Sequence, residues 1–172
     1  TNNHRATLGW DKFINPRLFV TPVFAEYFSD PFQNVSDRYT IGAGLGYDLV
    51  NTKKIDWTVS GGPAYQYTQF VSVEAGTPET QDTPALVAGT IYDHELTGWL
   101  DFLFEYRLQW VNEESGTYNH HLVTGFETEV TSLLDFDITF VWDRIENPRA
   151  DENGFVPEQD DVRLIVALGI EF

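Results

Sequence analysis

The chain has 172 residues, no cysteine, and 27 acidic side chains against 10 Lys plus Arg, a formal net charge of -17. That balance excludes general affinity for nucleic acid or anionic lipid surfaces, and the lack of thiols excludes disulfides and thiolate metal sites. Aromatic residues make up 15% of the chain, yet no apolar run approaches the roughly 18 residues of a membrane helix, which leaves strand-built membrane proteins open.

In chain order, nine segments have strand character: 5–13, 18–28, 38–49, 55–70, 85–95, 99–111, 120–130, 134–144 and 162–172. No long amphipathic helix is visible, and one domain is the default for this length. In the third segment Tyr39, Ile41, Ala43, Leu45, Tyr47 and Leu49 alternate with Arg38, Thr40, Gly42, Gly44, Gly46 and Asp48. In the sixth, Leu100, Phe102, Phe104, Tyr106, Leu108 and Trp110 oppose Asp101, Glu105, Arg107 and Gln109, with Leu103 out of step. The eighth sets Leu134, Phe136, Ile138, Phe140 and Trp142 against Asp135, Asp137, Thr139 and Asp143, with Val141 the exception. The ninth has every even position from Val162 to Phe172 apolar, Leu164, Val166 and Leu168 among them. The second and fifth segments are mixed and cannot be oriented.

Alternation with period two puts one set of side chains on each face of a sheet. A soluble barrel would have to crowd Phe and Trp from every strand into a small interior. An aromatic-rich face opposite one of charge, Gly, Thr and Ser suits a lipid-facing exterior around a wet lumen instead. Connections support this, since short turns at 14–17, 51–54, 96–98 and 131–133 alternate with longer loops at 29–37, 71–84, 112–119 and 145–161. Outer-membrane barrels keep short turns on the periplasmic side and long loops outside. Trp10, Tyr47 and Trp57 fall near short-turn ends and Tyr39, Trp110 and Trp142 near long-loop ends, as two interfacial belts require. Trp99 breaks the pattern, because it shares parity with Asp101 and Glu105.

The run Asp37-Arg38-Tyr39-Thr40-Ile41-Gly42-Ala43-Gly44-Leu45-Gly46-Tyr47 resembles the glycine-rich strand of a bacterial family called salt-induced outer-membrane proteins. Gly61-Gly62-Pro63-Ala64-Tyr65 is similar to its next strand, and Phe19-Val20-Thr21-Pro22-Val23-Phe24-Ala25-Glu26-Tyr27 and Gly169-Ile170-Glu171-Phe172 match its general pattern. The resemblance covers nearly the whole chain through strand style and order, not catalytic signatures. It implies an outer-membrane barrel of the bacterial envelope, of unknown function, tied by name to salt or envelope stress, with a signal peptide and further strands upstream. Bacterial single-chain barrels have even strand counts. Nine is odd, so the expectation is a larger barrel lacking its amino-terminal strands, in which the ninth strand closes against one that is absent.

The resulting fold class is all-β, an antiparallel up-and-down meander forming a transmembrane β-barrel. Asp101, Glu105, Arg107, Glu127, Glu129, Asp135, Asp137, Asp143 and Arg163 are expected to face the lumen. The glycines at 42, 44 and 46 alternate within a strand instead of leading a helix, so they read as small inward or sheet-packing positions and not a phosphate loop. Adjacent His120 and His121 point to opposite faces and cannot readily chelate one metal; His94, between Asp93 and Glu95, has the same difficulty. The acidic stretch 146–161 misses an EF-hand spacing and reads as a solvated loop, with loose divalent-cation binding the lesser reading. No cofactor is expected. The leading reading is a non-enzymatic barrel, a narrow cation-preferring pore or a structural envelope protein, with outer-membrane lipid and cations as partners. Two alternatives stand beside it. One is a soluble β-barrel binding an apolar ligand; the other is an outer-membrane lipid hydrolase, for which Ser60, Ser72, Ser115 and Ser132 are present without a recognisable motif.

Overall fold

The computed structural model describes residues 3–131 and 133–170. Its strands are β1 (His4–Phe13), β2 (Leu18–Asp30), β3 (Val35–Asn51), β4 (Ile55–Phe70), β5 (Thr80–Thr97), β6 (Leu100–Trp110), β7 (Tyr118–Thr131), β8 (Leu134–Ile145) and β9 (Asp160–Ile170). They form one sheet in sequence order, each antiparallel to its neighbours. The fold is a β-barrel meander. Among the described residues β9 pairs with β8, and no ladder joins it to β1. Side chains cross that seam instead: Arg5 reaches Asp143 at 2.8 Å, and the Asn3 amide reaches Asp161 at 3.3 Å. Among the described residues no helix is long and apolar enough to cross a membrane, which says nothing about crossing with strands.

Several boundaries move outward from the sequence reading. β3 begins at Val35 and β5 at Thr80, so the connection between β2 and β3 shrinks to residues 31–34, a short 3-10 turn started by Asp30. The loops 71–79, 111–117 and 146–159 remain the long ones. Trp99 lies in the tight turn between β5 and β6, outside both strands, so strand parity does not govern it. Its carbonyl accepts from the Glu129 amide.

The mixed pattern of β2 has a physical cause. Its register with β1 and β3 shifts between Val20 and Phe24, around Pro22, where a residue without an N–H cannot hold the ladder. Phe19 and Thr21 face inward before the bulge, and Phe24, Glu26, Phe28 and Asp30 do so after it. The inward set therefore changes from odd to even numbers. β5 has no such break before Glu95. It resists orientation because both faces are apolar, Val87 and Ile91 inward and Leu86 and Tyr92 outward.

Burial is inverted relative to a soluble barrel. Among the described residues fifteen polar or charged side chains are buried against nine apolar ones, with Gln66 and Thr68 at 0% exposure while Leu8 and Leu168 lie at 77% and 69%. Outward rows run across strands: Phe102 faces Phe126 with ring centroids 5.2 Å apart, and Phe126, Ile138 and Val166 follow in register.

Candidate functional site

The inner face divides along the barrel axis. In the half nearer the long loops, charged side chains meet across the interior. Arg5 on β1 pairs with Glu26 on β2 at 2.9 Å and with Asp143 on β8 at 2.8 Å. Glu26 also accepts from the Gln109 amide at 2.6 Å and lies 3.5 Å from Arg107, both on β6. Asp143 gathers His121 at 2.7 Å and Arg163, whose Nε is 3.3 Å from Asp161. The guanidiniums of Arg5 and Arg38 lie 4.5 and 5.5 Å from the Phe28 ring centroid. Burying a charge is tolerable only when it is paired, and here each buried carboxylate of the cluster has at least two polar partners. The gap left among Arg5, Glu26, Arg38 and Arg107 is about 10 Å³, room for about one water.

Above this cluster the loops form a cap centred on Asn34, which adopts left-handed backbone at φ 60°. Its amide donates to the carbonyls of Ser72 and Arg149 at 2.8 and 3.0 Å, and its side-chain oxygen accepts from the Ser72 N–H. Gln33 donates to the Gln159 carbonyl at 2.8 Å. Of the carboxylates of 146–161, Glu152 and Glu158 are exposed as a solvated loop requires, and others have partners. Glu146 and Asp160 bind Arg144, Asp161 binds Arg163, and Asp151 accepts from the amides of Asn153 and Phe155.

In the half nearer the short turns the interior opens into a cavity of about 540 Å³. Asp11, Asp48, Asp56, Asp93 and Glu105 line it, with Arg107 at the boundary shared with the cluster above. Room for the inward rings comes from β3. A Cβ on Gly46 would lie 2.0 Å from the Phe19 ring, and one on Gly42 would lie 2.6 Å from that of Phe24. These glycines are packing positions beside aromatic side chains.

Of the nine residues expected in the lumen, four make contacts on this inner face. Arg107, Asp143 and Arg163 join the charged cluster, and Glu105 lines the cavity. Asp101 faces Glu127, Glu127 faces Asp137, and Glu129 faces Asp135 across adjacent strands, an acidic patch near the turns. His121 is inward on Asp143. His120 is outward among Tyr106, Tyr118 and Trp142, its ring bonded to the Tyr106 hydroxyl at 2.7 Å. His94 is outward too, bonded to the Tyr92 hydroxyl at 2.9 Å. Among the described residues no three His, Cys, Asp or Glu side chains are placed to hold a metal ion. Ser132 and the terminal Glu171-Phe172 lie outside the described residues.

Arg5, Glu26, Asp11 and Asp93 were missed in the sequence because their phase is hidden by the bulge or by poor alternation in their own strands, whereas Asp56 was legible opposite Ile55, Trp57 and Val59. Asp48 and Arg38 were legible, sharing parity with the β3 glycines.

A profile of the family described as "Protein of unknown function, DUF481" matches residues 1–172. The chain belongs to that family. No curated protein matches this DUF481 chain. Its fold is similar to that of a solved structure described as the NanC porin in a rhombohedral crystal form, at 10% identity and a TM-score of 0.55. The match covers 99% of this chain and 79% of the porin chain. At that identity the likeness concerns the fold.

Proposed function

We propose that this DUF481 protein is a non-enzymatic barrel of the bacterial outer membrane whose acidic interior admits cations from the short-turn side, either as a narrow pore or as a structural envelope protein. The observation that carries the membrane assignment is the inverted burial: exposed Leu8, Ile41, Leu45, Leu164 and Leu168 outside, buried Glu26, Gln66, Thr68 and Asp143 inside. Exposed apolar area on that scale is unfavourable in water and favourable in lipid. The soluble-barrel alternative would need the opposite arrangement. The hydrolase alternative needs a serine beside a histidine base on the lipid face, whereas outward His120 has Tyr106, Tyr118 and Trp142 as its neighbours.

Cation preference follows from the cavity carboxylates and the patch formed by Asp101, Glu127, Glu129, Asp135 and Asp137, since rings of acidic side chains favour cations. The packed long-loop half restricts passage to small ions. Screening links this interior to external salt, because the Debye length falls from about 10 Å at 0.1 M to about 3 Å at 1 M. A role in salt or envelope stress is consistent with that sensitivity. Planar-bilayer recording in a salt gradient tests the proposal. A reversal potential indicating cations supports a pore, and its magnitude should decline at high salt. Anion preference refutes the acidic-lumen reading, and complete absence of current selects the structural role.

A further inference from the structure

Arg38 on β3 is 4% exposed, yet among the described residues its guanidinium has neither an ion pair nor a hydrogen bond, and its Nε is a buried donor without an acceptor. The other arginines of the inner cluster are treated differently. Arg5 has Glu26 and Asp143, Arg107 has Glu26, and Arg163 has Asp143 and Asp161. Arg38 shares the Phe28 ring with Arg5, so two like charges lie over one aromatic face. A buried charge without a counter-charge is costly, and a second cation beside it adds to that cost.

Arg38 borders the chamber of about 10 Å³ together with Arg5, Arg107 and Glu26. Three cations therefore face one acid, and that acid is already divided between Arg5 at 2.9 Å and Arg107 at 3.5 Å. Asp143, the other partner of Arg5, is also taken by His121 and Arg163. The Nε atoms of Arg5 and Arg107 are, like that of Arg38, buried donors without a hydrogen bond among the described residues. Each of the three guanidiniums around this one space thus keeps an unused N–H. Glu26 Oε2 and Asn119 Oδ1 on the same lining also lack a hydrogen bond, and a water would serve them. A water brings no charge, however, and the surplus here is positive. The volume suits one atom and excludes carboxylate, sulfate or phosphate, which need several times the space of a water. Guanidinium N–H groups are strong donors to anions. Arg107 borders both this chamber and the larger cavity, so the two spaces adjoin.

We infer that the chamber among Arg5, Arg38 and Arg107 is a binding site for a single halide ion, chloride in ordinary salt, with Arg38 as its main ligand. This goes beyond the cation-admitting reading and does not rest on it. The test is urea unfolding of the folded chain in halide-free detergent micelles, in sodium chloride and in sodium gluconate at equal ionic strength. Screening acts alike in both salts, whereas an ion that binds only the native state raises the midpoint with its own concentration. Gluconate is too large for the chamber. The midpoint should be higher in chloride, by a margin that grows with chloride concentration. Arg38→Met keeps the length of the side chain and removes an unpaired buried charge, so the barrel should fold and the margin should vanish. Arg17→Gln removes the same charge from an exposed turn and should keep the margin. Equal midpoints in the two salts would overturn the site and leave water as the occupant. A margin that survives Arg38→Met would overturn it in favour of chloride bound elsewhere. Should Arg38→Met fail to fold, crystals of the unaltered chain soaked in sodium bromide decide. Anomalous density among Arg5, Arg38 and Arg107 is expected, and bromide found only at other positions, or at none, would overturn the inference. Because no bilayer or current is involved, a barrel that never conducts leaves the halide site standing, and a barrel indifferent to chloride leaves the pore reading standing.

Discussion

Gly46 and the Phe19 ring compete for one space: a methyl group on Gly46 would sit 2.0 Å from a ring carbon. Gly46→Ala should therefore cost about 1–3 kcal/mol through overpacking, read as a lower urea midpoint in micelles. Adding Phe19→Leu should recover most of the loss; no recovery would mean that the ring is not what the methyl group meets. Asp143→Asn removes the charge that balances Arg5, His121 and Arg163, and breaking a buried network at one partner costs about 3–5 kcal/mol. A change below about 1 kcal/mol would show that water already screens the cluster. Asp143, Arg107 and Arg163 could be placed inward from parity alone. Their partners could not, because an ion pair between β1 and β8 depends on how far the sheet curls, and period-two patterning carries no curvature.

Among the strands, β3, β6, β8 and β9 were readable because large apolar and small or charged residues alternate cleanly. β2 was not, since the shift around Pro22 reverses the parity of everything beyond it. Deleting Val23 should remove the extra residue, so that Phe24 follows Pro22 in simple alternation and Glu26 and Phe28 keep their inward places. The expected outcome is that the heat-resistant folded band on gels is kept, and its loss would show that Pro22 needs the bulge. Strand ends were underestimated because β3 and β5 continue into polar stretches such as 35–37 and 80–83, where pairing outlasts the apolar pattern. On the outer face Ile138 lies mid-strand between Phe126 and Val166. Ile138→Arg should cost about 2–4 kcal/mol if this point is at the bilayer midplane, measured by reversible unfolding in lipid vesicles. A cost near zero would place it in water.

At the scale of the molecule, charge is sorted by height: Arg5, Arg107 and Arg163 meet acids in the long-loop half, while the cavity and the Asp101–Glu127–Asp137 patch leave the other half acidic. Composition announces the acidic excess but not this sorting, which appears only once alternate strands are known to run in opposite directions. Asn, Gln replacements at Glu127, Glu129, Asp135 and Asp137 should lower cation preference in bilayer recordings while leaving the barrel folded, and an unchanged reversal potential would clear these four of the role. The Asn34 cap bears on time instead of selectivity. Its amide collects carbonyls 38 and 115 residues away along the chain, so the knot cannot tie until β8 has been laid down and the following loop has swung across. Closure of the cap is therefore expected to follow the pairing of β8, and protease cutting within 146–159 after a refolding pulse should fade later than the gain of strand signal. Asn34→Ala should leave that loop cleavable at the end of refolding, turning a finished barrel into one that never registers its own completion.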